Sequence, residues 1–474
     1  MNNCEIISNK PVTKYDLAYI FNTLQERNLD ILQEKYLVDA ARRSTVAAYL
    51  KYLPTLRIDV GYQSYNDTYA RGYNNVPKHA GQFVMGLDQI IYAPDLVTNI
   101  IVKHKRLKFE KAQKVLTEQS MGLEIGFLYL DTLMLENAVK AQDERLHETR
   151  ENLAISRVRQ KQGLCGTEEV LQWAGLVSEE EKKLLSMKAD LKNIKVKINK
   201  ILFKNQKEIF EFAPLTASDP AFFSSDIHII DHVRTPEKLA KFTDMFVEEA
   251  IKIAPETVKL KAAIAMKKAE MANYAQKFVL PNAQLTMEYG SQFDRYLPYN
   301  NVVTAQMRAL GAEQPLDRNS GRIFVGAQWK PIEGGQKFAE IARCKAELNQ
   351  LETYLTEVNT MIEENVREVI NRAIAKYFMI EKSYKAMFAE AENYKTVKAN
   401  YLQGKAPINQ LADAQDLYLN AKLDAQNSQY EFFKELMWVQ RGLLSINWTK
   451  ATKEAKRFID EVRDTLPAEP DFTL

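Results

Sequence analysis

Leu53-Pro54-Thr55-Leu56-Arg57-Ile58-Asp59-Val60-Gly61-Tyr62 changes the period of the chain in mid-course. Over residues 15–52 the apolar side chains Leu17, Ile20, Phe21, Leu24, Leu29, Ile31 and Leu32 recur mostly three or four apart, the spacing of a helix. Pro54 ends that pattern, because proline disfavours the α conformation in the residue before it. Beyond it the period is two: Leu56, Ile58, Val60 and Tyr62 fall on one face and Arg57, Asp59 and Gly61 on the other, as in a strand. The same event recurs about 230 residues later, a spacing that marks an internal repeat. There Leu280-Pro281 ends a helical stretch over residues 236–278, and Ala283, Leu285, Met287 and Tyr289 alternate with Asn282, Gln284, Thr286 and Glu288.

Working outward, each half continues alike. A polar loop follows the first strand, over about residues 63–81 and 291–320, rich in Tyr and Asn in the first half. A second alternating stretch comes next. Phe83, Met85 and Leu87 oppose Val84, Gly86 and Asp88, while Ile323, Val325, Ala327 and Trp329 oppose Arg322, Phe324, Gly326 and Gln328. Strands are expected at about 55–64, 82–91, 281–290 and 321–330. Then come two long helical runs, about 95–159 and 336–401, the second opened by Gly334-Gly335. Each would measure roughly 100 Å at about 1.5 Å per residue. Glycine breaks follow, at Gly163 and Gly404. Segments such as Leu123, Ile125, Phe127, Leu128, Leu130 and Leu133 are broadly apolar and residues 140–151 mostly polar, a pattern of coiled-coil pairing with a wet face. The domain reading is a first repeat over 11–203, an inter-repeat segment over 204–235, a second repeat over 236–446 and a tail over 447–474.

The totals narrow the function. The chain has 474 residues, with 64 Lys+Arg against 62 Asp+Glu, so no bulk charge points to a nucleic-acid partner. No apolar run approaches the about 18 residues of a transmembrane helix. A barrel strand needs only about 9–11 alternating residues and escapes that test. Met1-Asn2-Asn3-Cys4-Glu5 has neither the basic region nor the apolar core of a secretory signal, so the chain reads as cytosolic or as a processed form. Cys4, Cys165 and Cys344 have no metal-ligand spacing and form no even set for a disulfide framework. His228 and His232 alone among the five histidines share helix-like spacing, a weak metal signal. No nucleotide loop or nucleophile elbow is found, and neither enzyme activity, cofactor nor metal is expected.

Four strands with one apolar and one polar face cannot bury both, and no surplus apolar helix is available to cover them. A barrel resolves this, with apolar side chains toward lipid and polar ones toward a wet lumen. On that reading the lipid-facing set is Leu56, Ile58, Val60, Phe83, Met85, Leu87, Leu285, Met287, Tyr289, Ile323, Val325 and Trp329. Four strands do not close alone, so several chains must contribute; three would supply twelve. Tyr62, Tyr65, Tyr69, Tyr73, Tyr289, Tyr296, Tyr299 and Trp329 suit an interfacial aromatic belt.

These features together resemble the TolC family of outer-membrane efflux channels. The resemblance is carried by the two Leu-Pro breaks, by Trp329-Lys330-Pro331-Ile332-Glu333-Gly334-Gly335, and by Tyr401-Leu402-Gln403-Gly404-Lys405-Ala406-Pro407-Ile408-Asn409-Gln410-Leu411-Ala412-Asp413-Ala414, and it runs over about residues 11–446. It implies a mainly α fold with a small β part: a trimer with a twelve-stranded transmembrane barrel and a long α-helical coiled-coil tunnel. Its expected role is the passive exit duct of a tripartite efflux pump or a type I secretion system. The implied partners are two further copies of the chain, a periplasmic adaptor (membrane fusion) protein, an inner-membrane pump and outer-membrane lipid. The implied location is the bacterial outer membrane with a periplasmic extension.

The resemblance also places a gate just after the glycine turns. Its acidic positions fall at Gln410 and Asp413 after Gly404, only the second being acidic, and at Glu169 and Gln172 after Gly163. The family's basic residue two places after the second glycine is here Ala406, beside Lys405. The turns bearing Gly163, Leu164, Gly404, Lys405 and Pro407 would face the adaptor. A competing reading, favoured by the missing signal peptide, is a soluble coiled-coil scaffold without a membrane role.

Overall fold

The computed structural model describes residues 13–66, 78–163, 165–213, 235–296, 310, 318–443 and 453–465. Cys4, Tyr69, Tyr73, Leu164, His228, His232 and Tyr299 lie outside them. In chain order the elements are β1 (Thr13–Tyr15), α1 (Leu17–Arg27), α2 (Leu29–Leu50), β2 (Thr55–Ser64), β3 (His79–Tyr92), α3 (Pro94–Lys161), α4 (Thr167–Ile201) and β4 (Phe210–Phe212). Then follow α5 (Pro236–Ile253), α6 (Pro255–Gln276), β5 (Asn282–Tyr296), β6 (Asn319–Gln328), α7 (Gln336–Leu402), α8 (Ile408–Gly442) and α9 (Lys453–Thr465).

The duplication is metrical. α2 and α6 have 22 residues each, α3 and α7 have 68 and 67, and α4 and α8 have 35 each. The helical pattern over 15–52, expected as one helix, is two. Asn28 leaves the helical conformation, and its Oδ1 accepts from the backbone N–H groups of Asp30 and Ile31, both at 3.0 Å. An asparagine oxygen that satisfies the free donors of a new helix is an N-cap. The stretch over 236–278 likewise breaks, at Ala254, whose extended ψ of 128° is what Pro255 requires of its predecessor.

The chain divides into two compact units. One comprises residues 1–36, 112–258 and 355–474. Its main core packs Leu17, Ile20, Phe21 and Leu24 of α1 against Leu123, Ile125, Tyr129 and Leu130 of α3, Ile198 of α4 and Phe432, Phe433 and Met437 of α8. Phe210 and Phe212 join it from β4, which pairs in parallel with β1. A second cluster seats Phe458 and Val462 of α9 on Phe242 and Phe246 of α5 and on Val366 and Ile370 of α7. A third, with Trp173 of α4, Tyr394 and Tyr401 of α7 and Leu411 of α8, lies by the helix hairpins.

The other unit comprises residues 37–111 and 259–354 and holds one antiparallel sheet of order β2-β3-β5-β6. The expected alternation sets its register: Leu56 pairs Leu87, Ile58 pairs Met85, and Val60 pairs Phe83. Across the repeat boundary Leu87 pairs Met287 and Met85 pairs Tyr289, and Met287 in turn pairs Ile323. The register shifts between His79 and Gly81, where Asp294 of β5 has a φ of +48°. An extra residue in a left-handed conformation is the signature of a bulge. Among the described residues no helix is long and apolar enough to cross a membrane.

Candidate functional site

Two places concentrate the residues that sequence reading singled out: the helix hairpins and the sheet.

The hairpins match in length and in the conformation of one glycine each. α3 and α4 are joined by residues 162–166, and α7 and α8 by residues 403–407. Gly163 and Gly404 have φ of +73° and +72°, a left-handed conformation open to glycine at little cost and a common helix terminator. After Gly404 the N–H of Lys405 donates to Asn400 O at 2.8 Å, which recovers one of the carbonyls left free at a helix end. Gly166 and Pro407 occupy the N-cap positions of α4 and α8 without a side-chain cap.

Their side chains differ. Glu169 and Gln410 each stand six residues after their glycine. Gln410 is exposed, whereas Glu169 is drawn into a cluster. Tyr401 donates its hydroxyl to Glu169 Oε1 at 2.5 Å, Trp173 Nε1 donates to the Tyr401 oxygen at 3.1 Å, and Arg159 Nη1 lies 3.5 Å from Glu169 Oε1. The Arg159 guanidinium also stands 5.0 Å from the centre of the Tyr401 ring, within cation–π range. Helical spacing explains the grouping. Glu169 lies one turn before Trp173 on the same face of α4, and Trp173 is fully buried with Tyr394, Val397, Leu411 and Ala414. Burial, reinforced by the bond to Glu169, pushes the Tyr401 phenol up to about 12.

Nine residues after each glycine stand Gln172 and Asp413, both exposed. Asp413 makes no hydrogen bond or ion pair among the described residues. α8 turns Leu411, Ala414 and Gln415 inward, which leaves Asp413 outward. One turn on, the half-exposed Asp416 pairs with Arg145, and Arg145 also reaches the buried Glu180 at 3.0 Å. Burial raises the Asp416 pKa, partly offset by Arg145. The cation that borders Gly404 comes from the first repeat. A Cβ added at Gly404 would lie 4.0 Å from Arg159 Nη2.

In the sheet, residues directly opposite across strands share a face. The register therefore gathers Leu56, Ile58, Val60, Phe83, Met85, Leu87, Leu285, Met287, Tyr289, Ile323 and Val325 on one face, and Trp329 continues it one residue past β6. Between the register shifts at 79–81 and 90–92 this face carries no Asp, Glu, Lys or Arg. It is also open: Val60 is 69% and Ile323 73% exposed. The charged side chains of the same rows, Arg57, Asp59, Asp88, Glu288 and Arg322, stand on the opposite face. β2 and β6 are the sheet's edges, with one side of each unpaired within the chain.

Tyr401, Trp173 and Arg159 were missed as site residues. Their sequence signal was faint: a Tyr three before Gly404, an Arg four before Gly163 and a Trp ten after it. The Trp173–Tyr401 contact joins residues 228 apart, which no local pattern reveals.

No protein-family model matches the sequence, and no curated protein resembles it in sequence. Solved structures do match the fold. The outer membrane protein VceC of Vibrio cholerae superposes with a TM-score of 0.71 at 12% identity, over 90% of this chain and 95% of that one. The CmeC outer membrane channel of Campylobacter jejuni gives 0.71 at 12% identity, over 98% and 94%. The open state of the MtrE outer membrane channel of Neisseria gonorrhoeae gives 0.69 at 12%, over 92% and 91%. The chain has the fold of these outer-membrane channel proteins, over nearly their whole length.

Proposed function

We propose that the chain is one third of an outer-membrane channel-tunnel, the passive exit duct of a tripartite efflux pump or type I secretion system. The observation that carries this is the two-faced sheet. An uncharged, solvent-exposed apolar face on four paired strands is very unfavourable in water and suited to lipid. The charges confined to the other face suit a wet lumen. Unpaired edges at β2 and β6 call for neighbouring copies, and three copies give a closed barrel of twelve strands.

In this reading the twelve apolar residues from Leu56 to Trp329 face lipid, and α3, α4, α7 and α8 build a periplasmic tunnel. The hairpin turns at Gly163-Leu164 and Gly404-Lys405, with Pro407, form its mouth and the docking surface for an adaptor protein, which links the duct to an inner-membrane pump. Asp413, in three copies, places carboxylates at that mouth, attracts cations and disfavours tight closure. Gln410 and Gln172 line the mouth without charge. Glu169, held by Tyr401 and Arg159, acts as a latch between the hairpins of one chain.

The test is fractionation of cells expressing the chain behind a functional export signal, with cross-linking. The expected result is a trimer recovered with the outer membrane. Recovery solely in the soluble fraction would return the chain to the scaffold reading.

A further inference from the structure

We propose that the polar face of the sheet carries a charge belt that sorts permeating ions by sign within the barrel, separately from the hairpin turns. The proposal rests on the channel reading above. Its basis is one cross-strand row, Arg57–Gly86–Glu288–Arg322, which runs over all four strands. Arg57 of β2 lies across β3 and reaches Glu288 Oε1 on β5 at 2.9 Å. Gly86 leaves room for this crossing: a Cβ there would stand 3.0 Å from Arg57 Nη2, so a larger residue would make the guanidinium shift by a few tenths of an ångström.

The row is tied to its neighbours. Arg322 Nη2 meets Glu288 Oε2 at 2.8 Å, while Arg57 also pairs with Asp59 and lies 3.5 Å from Asp88 Oδ2. Thr286 donates its hydroxyl to Asp88 Oδ1 at 2.9 Å. Every charged side chain of this face between the register shifts belongs to the one network. None is sealed from solvent: side-chain exposure runs from 23% at Glu288 to 66% at Arg322. A passing ion therefore meets all the barrel-wall charge of these strands in one band of five rows, from Thr55–Asp88 to Asp59–Val84.

The sign follows from the composition. Two guanidiniums against three carboxylates leave one negative charge per chain, repeated in each copy around the lumen. Fixed charge on a low-dielectric wall favours the counter-ion. The belt therefore prefers cations, and its preference is tuned by which partner is removed.

The experiment is the reversal potential of the reconstituted full chain in planar bilayers under a KCl gradient, for wild type, Arg57→Gln, Arg322→Gln and Glu288→Gln. Removing either arginine leaves two negative charges per chain and should raise the cation-over-anion permeability ratio by about twofold. Glu288→Gln leaves none and should lower the ratio toward unity. Arg57→Lys keeps the charge but not the reach, and should preserve the ratio even where the thermal stability of the assembly falls. Opposite shifts for the arginine and glutamate variants support the belt. A ratio unmoved in every variant, or moved the same way by both kinds, overturns it and leaves the channel standing. A wild-type chain that forms no pore overturns both.

Discussion

The two hairpins of this chain have matching lengths and matching glycines but different chemistry. Each joins its helices through five residues, and each turns on a glycine with φ near +72°. Yet six residues on, the first hairpin has Glu169 bonded to Tyr401 and Arg159, while the second has an exposed Gln410. Nine residues on, the first has a neutral Gln172 and the second an exposed Asp413 with no partner among the described residues. The duplication therefore repeats the glycine turn and not its surroundings: the first repeat has an acid bonded across the hairpins, the second an exposed acid.

The comparison can be broken most forcefully at Trp173, ten residues after Gly163, whose counterpart ten after Gly404 is Ala414. Trp173→Ala removes a fully buried side chain and should cost about 3–5 kcal/mol, whereas Ala414→Gly should cost about 1 kcal/mol. Denaturant unfolding checks this. Equal losses at the two positions would mean that the aromatic does not anchor the first hairpin.

A smaller effect tests the shared backbone. Gly163→Ala and Gly404→Ala should each cost about 1–2 kcal/mol from left-handed strain, with no steric part, because a Cβ at either site meets nothing closer than 4.0 Å. Costs that differ clearly between the two would contradict the equality of the turns. Smaller still is the effect on ion block. Asp413→Ala should weaken block of the channel by multivalent cations by about threefold, and Gln172→Ala should leave it unchanged. Block lost on Gln172→Ala but kept on Asp413→Ala would reverse the assignment.

A further effect is on alkaline titration. Tyr401 is protonated when bonded to Glu169, so its raised pKa contributes stability that is fully present below about pH 10, the ordinary value for a phenol, and lost as pH rises through about 12. Absorbance of tyrosinate should show this phenol titrating above the ordinary range, and Glu169→Gln should bring it part of the way back, burial being the larger cause of the shift. No change on that substitution would detach Glu169 from the latch.

Much of this architecture was legible in the chain. Leu53-Pro54 and Leu280-Pro281 end helices because of proline's local sterics, and alternation beyond them names the strand faces because the side-chain period of a strand is two. The glycines were legible because left-handed turns select them. What escaped was either too short or too distant. β1 and β4 have three residues each and cannot display a period. The helix break at Asn28 depends on a side-chain cap inside an otherwise continuous apolar pattern. The Arg159–Glu169–Tyr401–Trp173 cluster, like the belt through Arg57 and Glu288, joins residues more than 200 positions apart across the two repeats. Its members look like ordinary helix or strand residues until the fold brings them together.

The most direct test of the account is single-channel recording of the purified full chain and its Tyr401→Phe variant in planar lipid bilayers. The account predicts discrete steps of low conductance for the wild type, and larger steps for a variant that cannot donate to Glu169. Absence of discrete conductance from both proteins, under conditions where each is folded and trimeric, would contradict it.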